Sequence, residues 1–376
     1  MRKLANLPVL CSLVLVLSGC WDQRFFKEVK LALASGYDLT DNGKLLTTAS
    51  LPNISKSSQG PGMESVQIVT VKADTPRQSR VKIDREISKT FDSSKMRVLL
   101  FGQKLAKQGI YPLLDVFYRD PSSAINMDLG VVKGRAKDAL TLNVVGESRP
   151  SEYLSGILES ASRSTLTGKG ETIEGIAGNM LAPGSDAVLP YMIVDKKKGV
   201  VKVDGLALFN GDNYTGIHLN SFQSTLFTLM NNQRGAIARL TVKVAKKAQN
   251  SFAKYLTLEV KSQKIKKKMT IGKDGKITAQ LHLNLKVRVI EYAKDKLNQP
   301  KNIEMLNKRL SNKLTKQSVM IVHKLQKADC DALGFGNRMK AFHRSNWKKL
   351  NWEKTYPMIK IQPKVTVEIL QHGIIE

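Results

Sequence analysis

Cysteine is nearly absent. The chain of 376 residues has three: Cys11, Cys20 and Cys330. Cys11 lies inside an apolar leader and Cys20 at its end, so Cys330 stands alone afterwards and no intrachain disulfide is available. The fold must rest on its cores, and 42% hydrophobic residues are enough to build them. No stretch after residue 20 approaches the roughly 20 apolar residues that a spanning helix needs. Acidic side chains are also scarce, 32 against 60 Lys and Arg, for a net charge of +28. The excess is uneven. Residues 1–200 hold 27 basic and 20 acidic side chains, a net of +7, whereas residues 201–376 hold 33 and 12, a net of +21. The second half's excess implies an anionic neighbour or a general solubility device, and on charge alone nucleic acid, anionic lipid headgroups, anionic wall polymers or an acidic protein surface would suit it.

Catalytic patterns are missing as well. The five histidines, His218, His282, His323, His343 and His372, form no H-E-x-x-H pair and no zinc-spaced cluster with cysteine. There is no G-x-S-x-G, no Walker A loop, and no S-x-x-K set with K-T-G. Gly334-Phe335-Gly336 lacks the third glycine and preceding strand of a dinucleotide site and reads as a turn. Glu171 and Glu174 fall in the first turn of a predicted helix, where carboxylates compensate the helix dipole. Neither catalytic nor metal residues are expected, nor a cofactor. Residues 264–276 (KIKKKMTIGKDGK) are the densest basic run. The run has no interleaved aromatics for base stacking, so nucleic acid is not expected as a partner. It reads as a solvated loop or as the charged edge of a hairpin.

What the chain does have begins with an address. Arg2 and Lys3 precede an apolar stretch over residues 7–17, and Leu17-Ser18-Gly19-Cys20 closes it. Positive region, short apolar run, small pair and cysteine, in that order, are a lipoprotein signal peptide. Residues 1–19 are then removed and Cys20 is the lipidation site. One diacylglyceryl unit supplies two acyl chains, enough for stable anchoring at ~0.8 kcal/mol per buried CH₂.

Beyond the leader, residues 29–48 predict a hairpin around Asp41-Asn42-Gly43, and residues 53–62 an exposed loop. A strand follows at 65–72. A helix is expected over 78–92 with Val81, Ile83, Ile87 and Phe91 inward. Residues 96–101 form a continuous apolar strand, ended by Gly102. A helical pair runs to Tyr118, then a strand at 127–132, an α/β crossover pattern. Helices are predicted at 151–162, capped by Ser151, and at 171–180, with a strand at 188–194. Lys196 to Gly199 is a charged turn and the expected domain boundary. A second hairpin, 200–218, leads to a helix at 221–232 and strands at 237–245, 255–260 and 276–292. Near-perfect alternation over 280–289 gives one apolar and one basic face, which suits an antiparallel sheet. Residues 302–327 are a long amphipathic helix, and 364–370 a last strand. The expected class is α+β and multi-domain, with several mixed or antiparallel sheets each packed by helices. The domains are 20–198, with room for two subdomains, and 199–376, an antiparallel sheet with the long helix.

Four stretches carry a resemblance. They are Cys20-Trp21-Asp22 with Gly36, Asp38 and Gly43-Lys44; residues 97–102 with Leu105-Ala106, Gly109-Ile110, Asp115, Arg119-Asp120-Pro121 and residues 132–138; residues 205–209 with Gly211-Asp212 and Gly216; and Gly334-Phe335-Gly336 with Trp347, Trp352, Tyr356-Pro357 and His372-Gly373. Together they make the chain resemble the Ger(x)C family, the lipoprotein C subunits of Bacillus-type spore germinant receptors. Two departures stand out. The family's histidine before the Arg97 strand is replaced at Lys95 or Met96, and its acidic pair after Gly102 is Gln103-Lys104. The resemblance implies a non-enzymatic subunit on the outer face of the spore inner membrane, acting with membrane-spanning A and B subunits in assembly or signalling of the nutrient response. A solute-binding lipoprotein of an importer is the main rival, and a wall-active hydrolase the second.

Overall fold

Two mixed sheets and a short parallel pair organise the chain. The computed structural model describes residues 28–54, 64–144, 146–147, 149–168, 173–246, 250–294 and 297–371. Leader, lipobox, most of the 53–62 loop, Glu171 and His372 lie outside these residues, as does the side chain of Glu174. In chain order the elements are β1 (Val29–Leu31), β2 (Ala34–Leu39), β3 (Leu45–Ile54), β4 (Glu64–Ala73), α1 (Pro76–Asp84), β5 (Thr90–Asp92), β6 (Val98–Gly102), α2 (Gln103–Ala106), α3 (Tyr111–Tyr118), β7 (Asp128–Val132), α4 (Ala136–Leu140), α5 (Pro150–Arg163), α6 (Ile173–Leu181) and β8 (Val188–Asp195). The second part adds β9 (Val200–Asn210), β10 (Asn213–Asn220), α7 (Ser221–Met230), β11 (Arg239–Lys243), β12 (Tyr255–Ile271), β13 (Ile277–Glu291), α8 (Pro300–Lys327), α9 (Phe335–Phe342), α10 (Arg344–Trp347), α11 (Trp352–Thr355) and β14 (Lys360–Gln371).

The larger sheet has eight strands in the order β10-β9-β8-β7-β6-β2-β3-β4. Its centre, β2, β6, β7 and β8, is parallel, and both flanks are antiparallel. The apolar run in β6 explains the centre: every residue from Val98 to Gly102 is buried, as a strand covered on both faces requires. One face packs against α1, α2, α3 and α6 through Ile83, Leu105, Leu114, Phe117 and Ile176, the other against α4 and α5 through Ala136, Leu140, Leu154 and Leu158. The expected helix at 78–92 is shorter. Thr75 caps it, it ends at Asp84, and Phe91 belongs to β5. Val81 is exposed rather than inward because the helix turns only one narrow stripe, Ser79, Arg80 and Ile83, to the core. Ser151 is not an N-cap. Pro150 takes the first helical turn with its fixed φ, so Arg149 is the cap and Ser151 is buried inside the helix.

The expected boundary at 198/199 falls in the tight turn between β8 and β9. Both strands belong to the eight-stranded sheet. The β9–β10 hairpin serves two cores. Ala207, Phe209 and Tyr214 face the α1–α3 side, whereas Leu206, Leu208 and Leu219 join the core built by α7, α8 and the second sheet. Alternation puts the two sets on opposite faces, so one hairpin joins both halves.

The second sheet has the order β11-β12-β13-β14. The first three strands are antiparallel as expected, but β14 runs parallel to β13. Alternation does not encode direction. Between β13 and β14 the chain crosses over through α8, and a crossover returns a strand parallel. β12 is also longer than the predicted 255–260 strand. It continues through most of the basic run, and only Lys273, Asp274 and Gly275 form the turn. α8 covers the apolar face with Leu306, Leu310, Leu314, Ile321 and Leu325. It also closes the β14 edge. Asn307, Ser311 and Thr315, one turn apart, accept the backbone N–H groups of Ile369, Val367 and Val365 at 3.0, 2.9 and 2.9 Å.

Candidate functional site

The stretches that carried the family resemblance meet in space at three places. At the first, Asp38 in β2 accepts the backbone N–H groups of Ala136 (2.7 Å) and Lys137 (2.9 Å), capping α4. Gly102 is required beside it, because a Cβ there would lie 2.0 Å from Asp38 Oδ1. Burial raises the Asp38 carboxyl above its ordinary value, against the lowering by those two N–H donors.

The second place is an open cleft of about 1250 Å³ beside β1, β5, α1 and α3, lined among others by Arg77, Arg80, Asp84, Phe91, Asp115 and Asp120. Arg80 is buried, 2.8 Å from Asp120, with its guanidinium 5.1 Å from the Phe117 ring. Burial acts to raise Asp120, but hydrogen bonds from Ser122 and the Arg80 charge outweigh it and hold the carboxyl low. Arg119 pairs with Asp115 at 2.9 Å. The Arg119-Asp120-Pro121 stretch therefore builds the cleft rim, with charges of both signs already paired.

The third place is a buried joint between the two halves. Asp331 accepts Phe335 N–H (2.9 Å), Gly336 N–H (2.6 Å) and the indole N–H of Trp352 (3.2 Å). Asp186, from the loop before β8, accepts Asp331 N–H (2.7 Å) and Gly211 N–H (2.9 Å). Trp347, Trp352 and Tyr356 pack around them as tilted ring pairs, at 5.5 and 6.1 Å between ring centroids. Gly334-Phe335-Gly336 thus delivers N–H groups to a carboxylate. Gly334 takes a left-handed φ of 68°, and Gly336 lets two backbones touch: a Cβ on it would lie 2.3 Å from Gly184 Cα. Asn337 N–H holds that approach by donating to Gly184 O at 2.8 Å. A Gly336→Ala chain should lose about 2–4 kcal/mol in urea unfolding, since neither backbone can retreat without breaking that bond.

The joint sets a pH dependence. Burial pushes Asp331 up to about 7, with the Asp186 charge adding to it, and burial pushes Asp186 up to about 6. Carboxyls raised in the folded chain keep protons that the unfolded chain releases above about pH 4. Their effect is to lower stability as pH rises from about 4 to about 7. His218 runs the other way, because burial and then the Lys324 charge lower it. The fall in stability between pH 4.5 and 7 should therefore be smaller in Asp331→Asn than in the wild type, read as Tm against pH.

The basic run divides. Lys264, Lys266 and Lys268 are exposed on β12, along a length where no described strand pairs its outer side. Lys267 points inward. Its Nζ donates to Leu333 O at 2.6 Å and lies 5.9 Å from the Phe335 ring, and burial lowers it to about 8. The charged-edge reading fits three of these lysines, and the fourth braces the joint. The histidines stay apart in role: His218 stacks on Tyr191 at 4.4 Å, and His282 is exposed on β13. Among the described residues no group of three or more His, Cys, Asp or Glu could hold a metal ion, and no described helix is long and apolar enough to cross a membrane. Asp186 and Asp331, the centre of the joint, carry no motif that sequence reasoning could have singled out. The one signal was the glycine spacing four residues after Cys330-Asp331.

A parallel-centred sheet and a smaller sheet, their two cores sharing the β9–β10 hairpin of the larger sheet and their halves locked by buried aspartates, define a two-core α+β scaffold. The chain belongs to the GerAC-like, or Ger(x)C, family of spore germination proteins. Residues 22–194 match the spore germination protein N-terminal domain and residues 204–373 the spore germination B3/GerAC-like C-terminal domain. It is 24% identical over 363 residues to the spore germination protein GerQC of Bacillus cereus, covering 96% of each chain. It is 24% identical to the spore germination protein B3 of Bacillus subtilis (strain 168), covering 100% of both, and 24% identical to protein KC of the same organism, covering 96% and 94%. The fold is similar to the crystal structure of the GerBC protein, with a TM-score of 0.58 at 18% identity over 91% of this chain and 99% of that one.

Proposed function

We propose that this chain is a lipid-anchored, non-enzymatic C subunit of a spore germinant receptor. It is held on the outer face of the spore inner membrane by diacylglycerol on Cys20, and it supports assembly or signalling of the nutrient response with membrane-spanning A and B subunits. The observation that carries this reading is where the family stretches go. Asp38, Gly102, Asp120, Gly336 and Trp352 are spent on capping, ion pairing and close packing, which is what a rigid scaffold needs. The anchor is close to the fold. Cys20 lies eight residues before Glu28, which lines the cleft, so an extended chain places the cleft within about 29 Å of the bilayer. Purification of the tagged chain from detergent-solubilised spore membranes is the test. Co-recovery of both membrane-spanning subunits is expected, and recovery of this chain alone would overturn the partnership.

The cleft itself favours a second reading, a solute-binding lipoprotein, because it is concave and lined by both charged and apolar side chains. Calorimetry with amino acids, sugars and nucleosides separates the two. Tight binding by the isolated chain, lost in Arg80→Met, supports the rival.

A further inference from the structure

The second sheet covers only one of its faces. Along β13, Ala279, Leu281, Leu283, Leu285 and Val287 are buried on the core side, whereas Gln280, His282, Asn284 and Lys286 are exposed on the other. Register aligns the neighbours. Lys268, Lys266 and Lys264 on β12 stand opposite Gln280, His282 and Asn284, and on the far side Lys364 on β14 stands opposite His282. Lys360, beside Thr278, continues the row. All five lysines are exposed, and among the described residues none forms an ion pair.

Most acids on this face are already matched, and among the described residues Glu291, at the apolar end, accepts only the Thr257 hydroxyl (2.9 Å). Glu259 sits among Arg239 (3.2 Å), Lys261 (2.5 Å) and Arg288 (3.1 Å), and Glu368 pairs with Lys286 (3.6 Å). What remains is positive, broad and set at one height by the pleat. At one end, where β12 begins and β13 and β14 finish, the same face carries exposed apolar groups: Tyr255 (41%), Ile290 (39%) and Leu370 (48%). Phe252 (64%) precedes them in the turn into β12.

We infer that this open face of the β11–β14 sheet docks onto an anionic phospholipid bilayer, with its lysines over the headgroups and its apolar end at the interface. The composition favours lipid over protein. Protein interfaces deplete lysine and bury an aromatic or arginine centre, whereas here lysines occupy the middle and the apolar groups one end. Flexible lysines on a flat single-sign surface suit a plane of headgroups, each adding about 1 kcal/mol, or roughly fivefold in partition. The inference rests on the Cys20 anchor for placing the chain beside a bilayer.

The test uses the lipidated full chain on vesicles of phosphatidylcholine alone or with one third phosphatidylglycerol. An amine-reactive label is followed lysine by lysine by mass spectrometry. On anionic vesicles Lys264, Lys266, Lys268, Lys360 and Lys364 should label at least about fivefold more slowly than on neutral ones, with Lys133 and Lys197 unchanged. Salt at 1 M, where screening acts within about 3 Å, should abolish the difference, and Lys266→Glu with Lys364→Glu should remove it. Equal labelling on both vesicles overturns the inference. So does protection that appears only when the membrane-spanning subunits are added, which assigns the face to an acidic protein surface. Flotation separates the two readings. A chain that floats only with anionic vesicles keeps this face and loses the anchor, and one that floats with neither loses both.

Discussion

Replacing Asp331 with alanine should cost the folded chain on the order of 4 kcal/mol. The carboxylate accepts three N–H donors, from Phe335, Gly336 and Trp352, in a place where Asp331 itself is 1% exposed. Each buried donor left without an acceptor costs about 1–3 kcal/mol, and relief of the buried charge returns only part of it. The loss should not stay local. Asp331 N–H donates to Asp186, which in turn holds Gly211 at the tip of the shared β9–β10 hairpin. Tyr356→Phe is the comparison, because it removes a single bond to the Cys330 carbonyl (3.0 Å) and should cost about 1 kcal/mol. Urea unfolding measures both. An Asp331→Ala chain within 1 kcal/mol of wild type would show that the joint does not hold the halves together.

The second large effect concerns the anchor. A Cys20→Ala chain secreted through an ordinary cleaved leader should move from the membrane fraction to the soluble one once membranes are washed in 1 M salt, which screens the basic sheet face, a change on the order of a hundredfold or more in partition. The ordinary leader matters, since an uncut apolar leader would itself hold the chain in the bilayer. Fractionation with immunodetection reads the result. Unchanged membrane retention would shift the burden to the basic sheet face or to the partner subunits.

Much of the fold was legible where one periodicity ruled. Alternation over 280–289 marked β13, the continuous run before Gly102 marked a strand buried on both faces, and the spacing of Leu306, Leu310 and Leu314 marked α8. What was not legible depends on partners distant in sequence. Alternation is blind to direction, so it does not show that β14 runs parallel to β13. For lysines 264, 266 and 268 the sequence left loop and hairpin edge open, because the alternation there is interrupted by Lys267, whose inward course is set by Leu333 and Phe335. The charged turn at Lys196–Gly199 was legible because it is local and lies between the two matched family domains, whereas the two-faced use of Leu206 and Ala207, which ties the halves together, was not. For the site, the glycines and tryptophans of the fourth stretch were visible as a pattern. The aspartates they serve were not, since a single acid has no periodic signature.

Germination itself is the most direct measurement. Spores of a strain lacking this gene, and of the same strain carrying either the wild-type chain or the separately secreted Cys20→Ala chain, are mixed with the cognate nutrient and followed by loss of optical density. The expected result is a nutrient response lost in the deletion, restored by the wild-type chain, and not restored by the unlipidated one. A full nutrient response in the deletion strain would contradict the receptor role, and full rescue by the unlipidated chain would contradict the anchor.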